Sequence, residues 1–210
     1  MSLTARNASC LVIDRLCDQA REGDLAVAWL YCDYNIRQEQ AAINMVGAIV
    51  TQLIRGGIPN EIREAFQEAE RAGARRPLLE DLMRMLRIAI TKLPQAFICV
   101  DALDECLPGD LPRLLESLRD IIREFPRTRV FLTGRPHVGQ AVRKYFDRAV
   151  EIPISPNKDD IRNYVVMRLD RDEMPEAMDN SLRDDIVRII LDKMSNMYVG
   201  VPPLLAVDTY

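Results

Sequence analysis

Ala96-Phe97-Ile98-Cys99-Val100-Asp101-Ala102-Leu103-Asp104-Glu105 is the stretch that decides the reading of this 210-residue chain. Five apolar residues end in a carboxylate, and two further acids follow within four positions. A short, uninterrupted apolar run predicts a strand buried on both faces. An acid at the carboxyl end of such a strand stands where open α/β sheets bind their ligands. In phosphate-handling α/β enzymes that acid organises Mg²⁺ through its bound water. Asp101 is the candidate for this role, and Asp104 or Glu105 for orienting or deprotonating an attacking water. The plainer alternative is a set of acids that caps the next helix and is merely solvated.

Outward from this strand, apolar spacing alternates between two periods. Ala26 to Tyr34 reads as a strand, being rich in β-branched and aromatic residues. Helical stripes follow at Gln40–Arg55 (Ile43, Val46, Ile49, Val50, Leu53), Glu61–Ala72 and Leu78–Thr91. After the acidic strand, Leu111, Leu114, Leu115, Leu118, Ile121, Ile122 and Phe125 mark the clearest helix. Arg129–Thr133 and Val150–Ile154 read as strands, with a helix over Val138–Phe146 between them. Asn157 is placed to cap a helix running to about Leu169, with Asp159 and Asp160 in its first turn. Leu182–Met194 reads as a last helix. Strands alternating with helices imply an α/β fold with a mostly parallel sheet covered on both faces. Residues 1–200 are expected to form one domain, and 201–210, an apolar PPLLAVDTY run, to begin a following segment.

A second constellation is Val130-Phe131-Leu132-Thr133-Gly134-Arg135-Pro136-His137, an apolar strand ending in a turn that bears an arginine. If its strand neighbours the acidic one, Arg135 faces the same crevice and can sense a terminal phosphate. The alternative is a surface arginine before a proline-started helix. Composition restricts the remaining options. At 48% hydrophobic and 29% charged residues the chain reads as globular, and its net charge of −4 supplies no attraction for nucleic acid. Five cysteines without CxxC spacing read as reduced thiols of a cytoplasmic protein, and a single histidine argues against zinc. No apolar run approaches the length of a membrane span.

Four segments in this order resemble one family: WLYCDY (Trp29 to Tyr34), FICVDALDEC (Phe97 to Cys106), RVFLTGRPHV (Arg129 to Val138) and DDIRNYV (Asp159 to Val165). Together they look like the NACHT-type P-loop NTPase domain of the STAND class. More closely, they resemble the nephrocystin-3-like N-terminal version common in large fungal proteins. The resemblance implies a three-layer P-loop NTPase-like core and a signal-transducing ATP switch. Its implied cofactors are ATP and Mg²⁺. Its implied partners are an amino-terminal effector and carboxy-terminal ankyrin or WD repeats, acting through protein–protein contacts. By that analogy Asp101 matches the Mg²⁺-linked acid of the Walker B strand. Asp104 and Glu105 match the catalytic acidic pair, and Arg135 matches the sensor arginine.

One departure bears on activity. The family carries a Gly-x-x-Gly-x-Gly-Lys-Ser/Thr loop before the helix that here holds Leu11, Val12, Ile13 and Leu16. In that place stands MSLTARNAS, and no Gly-Lys-Ser/Thr occurs anywhere in the 210 residues. Glycines let the backbone N–H groups approach phosphates, and the lysine neutralises their charge. The strand feeding that loop, expected beside Arg129–Thr133, is missing too, which predicts exposed strand edges. The expectation is a truncated or partial NACHT domain that does not hydrolyse ATP unaided. The competing expectation is a non-catalytic α/β scaffold or protein-interaction module.

Overall fold

The computed structural model describes residues 3–23, 25–54, 57–71, 77–153, 158–171, 179–197 and 203–207. In chain order the elements are α1 (Leu3–Glu22), β1 (Leu25–Tyr31), α2 (Ala42–Leu53), α3 (Asn60–Arg71), α4 (Leu79–Thr91), β2 (Gln95–Asp101), α5 (Leu111–Glu124), β3 (Thr128–Leu132), α6 (Pro136–Tyr145), β4 (Val150–Pro153), α7 (Lys158–Asp170), α8 (Asn180–Met197) and β5 (Pro203–Val207). Short 3₁₀ turns at Tyr34–Ile36 and Leu103–Glu105 follow β1 and β2. Asn157, expected as a helix cap, lies outside the described residues.

The chain divides into two compact units, Met1–Ile152 with Pro202–Tyr210, and Pro153–Val201. In the first, the sheet order is β1-β2-β3-β5-β4. β1, β2 and β3 are parallel, with Tyr31 opposite Asp101 and Val100 opposite Leu132. The apolar strands predicted around the acidic motif are therefore direct neighbours, and their carboxyl ends lie together. β5 runs antiparallel to β3, with Val130 opposite Val207 and Leu132 opposite Leu205. The edge expected to be bare beside Arg129–Thr133 is thus covered. An extended segment nearby satisfies the row of N–H and C=O groups that an open edge leaves unpaired.

Both faces of the parallel strands are apolar, as the missing alternation implied. One face joins Val27, Cys99 and Phe131 to Ile13 and Ala20 of α1. The other joins Ala28, Ile98, Val100, Val130 and Leu132 to Val46, Ile49, Leu86, Leu114 and Leu118 of α2, α4 and α5. Ile49, Leu86, Leu114 and Leu118 are among the largest fully buried side chains. Burying each contributes roughly 1.5–3 kcal/mol. In the second unit α7 and α8 pack on each other, and each supplies one buried valine, Val165 and Val187. Among the described residues no helix is long and apolar enough to cross a membrane.

β1 is an edge strand, yet its outer backbone is not left open. Gln52 of α2 accepts the Trp29 N–H and donates to the Trp29 carbonyl, both at 2.9 Å. Two residues on, Gln40 donates to the Tyr31 carbonyl at 2.8 Å and accepts the Asp33 N–H at 2.9 Å. Outward-facing backbone groups recur every second residue in a strand. Two glutamine amides therefore take the place of a neighbouring strand.

Candidate functional site

β2 carries Asp101 to the carboxyl end of the sheet, where it is 2% exposed. A buried carboxylate needs hydrogen-bond donors, and one comes from the adjacent strand end: the Thr133 hydroxyl donates to Asp101 Oδ1. The same hydroxyl accepts the Ala102 N–H at 3.0 Å. Backbone bonds draw the strand ends together. Thr133 N–H donates to the Val100 carbonyl at 2.9 Å, Leu103 N–H to the Thr133 carbonyl at 2.9 Å, and Cys32 N–H to the Asp101 carbonyl at 3.0 Å.

Directly after Asp101 the chain turns through the left-handed region: Ala102 has φ 61° and ψ 48° and is fully buried. That conformation costs a non-glycine residue about 1–2 kcal/mol. It turns the chain into the 3₁₀ turn that presents Asp104 and Glu105. The Asp104 side chain, 4% exposed, accepts the Arg135 backbone N–H at 3.0 Å and pairs with Arg135 Nε at 3.2 Å. Arg135 itself is 57% exposed. Glu105 reaches the other way and accepts the Tyr34 N–H at 3.0 Å. Asp33 caps that same short turn through the Asn35 N–H at 2.8 Å.

All four residues singled out from the sequence, Asp101, Asp104, Glu105 and Arg135, thus stand at one end of the sheet. Each acid is engaged. Asp101 holds β3's end, Asp104 clasps the β3–α6 turn, and Glu105 holds the turn after β1. Gly134 is required by the closeness of that clasp, because a Cβ there would come 2.7 Å from Val138 Cγ2 and 3.3 Å from Leu103 Cβ. Thr133 was given no role at the level of sequence. Its signal was a polar residue closing an apolar strand immediately before Gly134. His137 sits in the first turn of α6 and takes no part in the cluster.

A cavity of about 250 Å³ lies beside Asp101, lined by Cys10, Tyr31, Cys32, Asp33 and Asp101. The Tyr31 hydroxyl lies 3.7 Å from Cys10 Sγ. Burial, Cys10 and the nearby carboxylates push the phenol above its ordinary range. The neighbouring Cys106 thiol and burial likewise push the Cys32 thiol upward. Two carboxylates in the lining supply the hard oxygen donors that suit a hydrated divalent cation. A triphosphate is another matter. No lysine or arginine lines the cavity, and the arginine of the motif, Arg135, is paired with Asp104. α1 is already helical at Leu3, so residues 3–9 form no loop that cradles an anion. Among the described residues no group of three or more His, Cys, Asp or Glu is arranged to hold a metal ion. Asp101 already accepts from Thr133, and the cavity lining carries no cation to meet a nucleotide's phosphates.

Parallel strands that bring acids from one strand end against an arginine from the next define an α/β domain with its candidate site at the carboxyl edge of the sheet. The chain belongs to the family described as Nephrocystin 3, N-terminal, which matches residues 8–135. That span includes β1, β2, β3 and Arg135. No curated protein and no solved structure matches the chain.

Proposed function

We propose that this chain is the acid-bearing part of a NACHT-type nucleotide switch of the STAND class, and that it neither binds nor hydrolyses ATP unaided. The observation that carries the proposal is the Asp104–Arg135 clasp between the β2 and β3 ends. A buried carboxylate holding a half-exposed guanidinium is a contact that an incoming anion competes for. A phosphate beside Arg135 would draw the guanidinium off Asp104 and loosen the β3–α6 turn. The acid pair then acts as a latch in the resting chain. In this proposal Asp101 organises Mg²⁺ through water once a phosphate-binding segment is supplied. The setting is a cytoplasmic, multidomain protein with an effector and repeats as neighbours.

The test is a titration of fluorescent ATP into the folded chain with Mg²⁺. The expected result is no saturable binding, with circular dichroism showing intact helix and strand. Saturable binding that Asp101→Ala abolishes would overturn the proposal, because a phosphate site would then exist in the chain itself.

One observation favours a non-catalytic interaction module as the second reading. A cavity of about 710 Å³ lies among α2, α3 and α4, with Val50, Ile54, Ile58, Ile62, Phe66 and Leu82 in its lining. Phe66 and Ile58 are exposed there. Apolar concavities of this size commonly receive ligands or partner side chains.

A further inference from the structure

The turn after β1 and the turn after β2 each carry a cysteine, and the fold brings the two together. Cys32 Sγ and Cys106 Sγ lie 3.1 Å apart, although 74 residues separate them in sequence. Both are free thiols, and both are buried, at 2% and 8% exposure. A disulfide is ~2.05 Å long, so about 1 Å of approach closes the bond. Backbone hydrogen bonds hold both positions. Cys32 N–H donates to the Asp101 carbonyl at 3.0 Å, and Cys106 N–H donates to the Leu103 carbonyl at 3.2 Å. Cys32 also lines the cavity of about 250 Å³ beside Asp101, so a small oxidant such as hydrogen peroxide has a route to that sulfur.

We infer that Cys32 and Cys106 are a reversible disulfide site, closed by a peroxide, that locks the acidic turn against the turn after β1. In the first step one sulfur attacks a peroxide oxygen while its thiol proton passes to the departing oxygen. The O–O bond breaks, water leaves, and a sulfenic acid forms. The second sulfur then attacks the first, the S–O bond breaks, and water leaves. Two thiols and one hydrogen peroxide thus give one disulfide and two waters, and two electrons pass from sulfur to oxygen.

The consequence follows from the neighbours. Cys106 adjoins Glu105, whose carboxylate holds the Tyr34 N–H. Cys32 adjoins Asp33, which caps the same turn. A bond between them makes that non-covalent contact permanent and closes a long loop, which stabilises by restricting the unfolded chain. The other three cysteines, Cys10, Cys17 and Cys99, have no sulfur partner at hydrogen-bond distance among the described residues. The site is independent of whether the chain binds a nucleotide.

The experiment uses the full reduced chain, freed of reductant and treated with stoichiometric hydrogen peroxide, then freed of peroxide, alkylated in denaturant and digested without reduction. Mass spectrometry is expected to find a peptide pair linked through Cys32 and Cys106, with Cys10, Cys17 and Cys99 alkylated. Dithiothreitol should restore alkylation at all five cysteines. The melting temperature of the oxidised chain should rise by roughly 5–15 °C, and Cys106→Ala should lose that rise. Equal alkylation at all cysteines after peroxide would overturn the inference. So would a sulfinic acid at Cys32 without the linked pair, or linkage through Cys10 or Cys17. The linked peptide is read on the unmutated chain, so a variant that fails to fold leaves the result decisive.

Discussion

Ala102 shows how much of the site depends on one backbone angle. Asp101 ends a strand, and three residues later Asp104 must point at Arg135. The left-handed conformation of Ala102 makes that change of direction in a single step. An alanine tolerates it at modest cost, whereas a β-branched side chain clashes with its own carbonyl there and has no room in a fully buried position. Ala102→Val is expected to lower stability by at least about 2 kcal/mol, and Ala102→Gly by much less. Urea unfolding of the two variants checks this. Equal stability for the two would mean that the angle is not a constraint. Asp101, Asp104, Glu105 and Arg135 were legible because charged residues at the ends of apolar runs stand out. Thr133, Ala102 and the Cys32–Cys106 pair were not, because their significance lies in an angle or in a neighbour far along the chain.

Among the elements, β1 is an edge strand whose outer backbone is protected in part by α2. The Gln52 amide makes both of its hydrogen bonds to Trp29 on the open side of the sheet. Replacing it by leucine, similar in size, leaves that donor and acceptor without partners in a part-buried position. Gln52→Leu is expected to cost about 1–2 kcal/mol and to expose an edge prone to pairing between chains. A lower urea midpoint at unchanged slope, with concentration-dependent light scattering, is the expected signature. An unchanged midpoint would show that water satisfies Trp29 equally well. Element types and approximate boundaries were legible from periodicity, since Gln95–Asp101 and Leu111–Glu124 lie within the predicted runs or a residue or two beyond them. The direction and place of β5 were not, because an apolar five-residue run pairs equally well on either side of either edge.

For the whole molecule, the buried thiols set an alkaline limit. Burial pushes Cys99 up to about 12, and Cys32 is raised as well. A thiol whose folded pKa lies above its unfolded value keeps its proton longer in the native state. Its contribution is complete below the unfolded pKa, near 9.0, and is lost as pH rises towards 12. Stability should therefore fall between these limits, and Cys99 should account for a few kcal/mol of that fall. The measurement is urea unfolding at a series of alkaline pH values for the wild type and Cys99→Ala. The variant should start less stable near neutrality and lose less as pH rises. Parallel pH profiles would show that Cys99 ionises freely in the native state.

Residue order alone carried the alternation of strands and helices, the two-sided burial of the central strands and the presence of acids and an arginine at strand ends. These follow from local periodicity and side-chain chemistry, which act within a few residues. Tertiary structure decided that Asp104 is clasped by Arg135, that Gln52 and Gln40 satisfy the open side of β1, that β5 lies antiparallel beside β3, and that two cysteines 74 positions apart touch. Each is a contact between segments remote in sequence. Such contacts are set by how the whole chain packs its apolar faces and pairs its buried polar groups, and no local window contains that information.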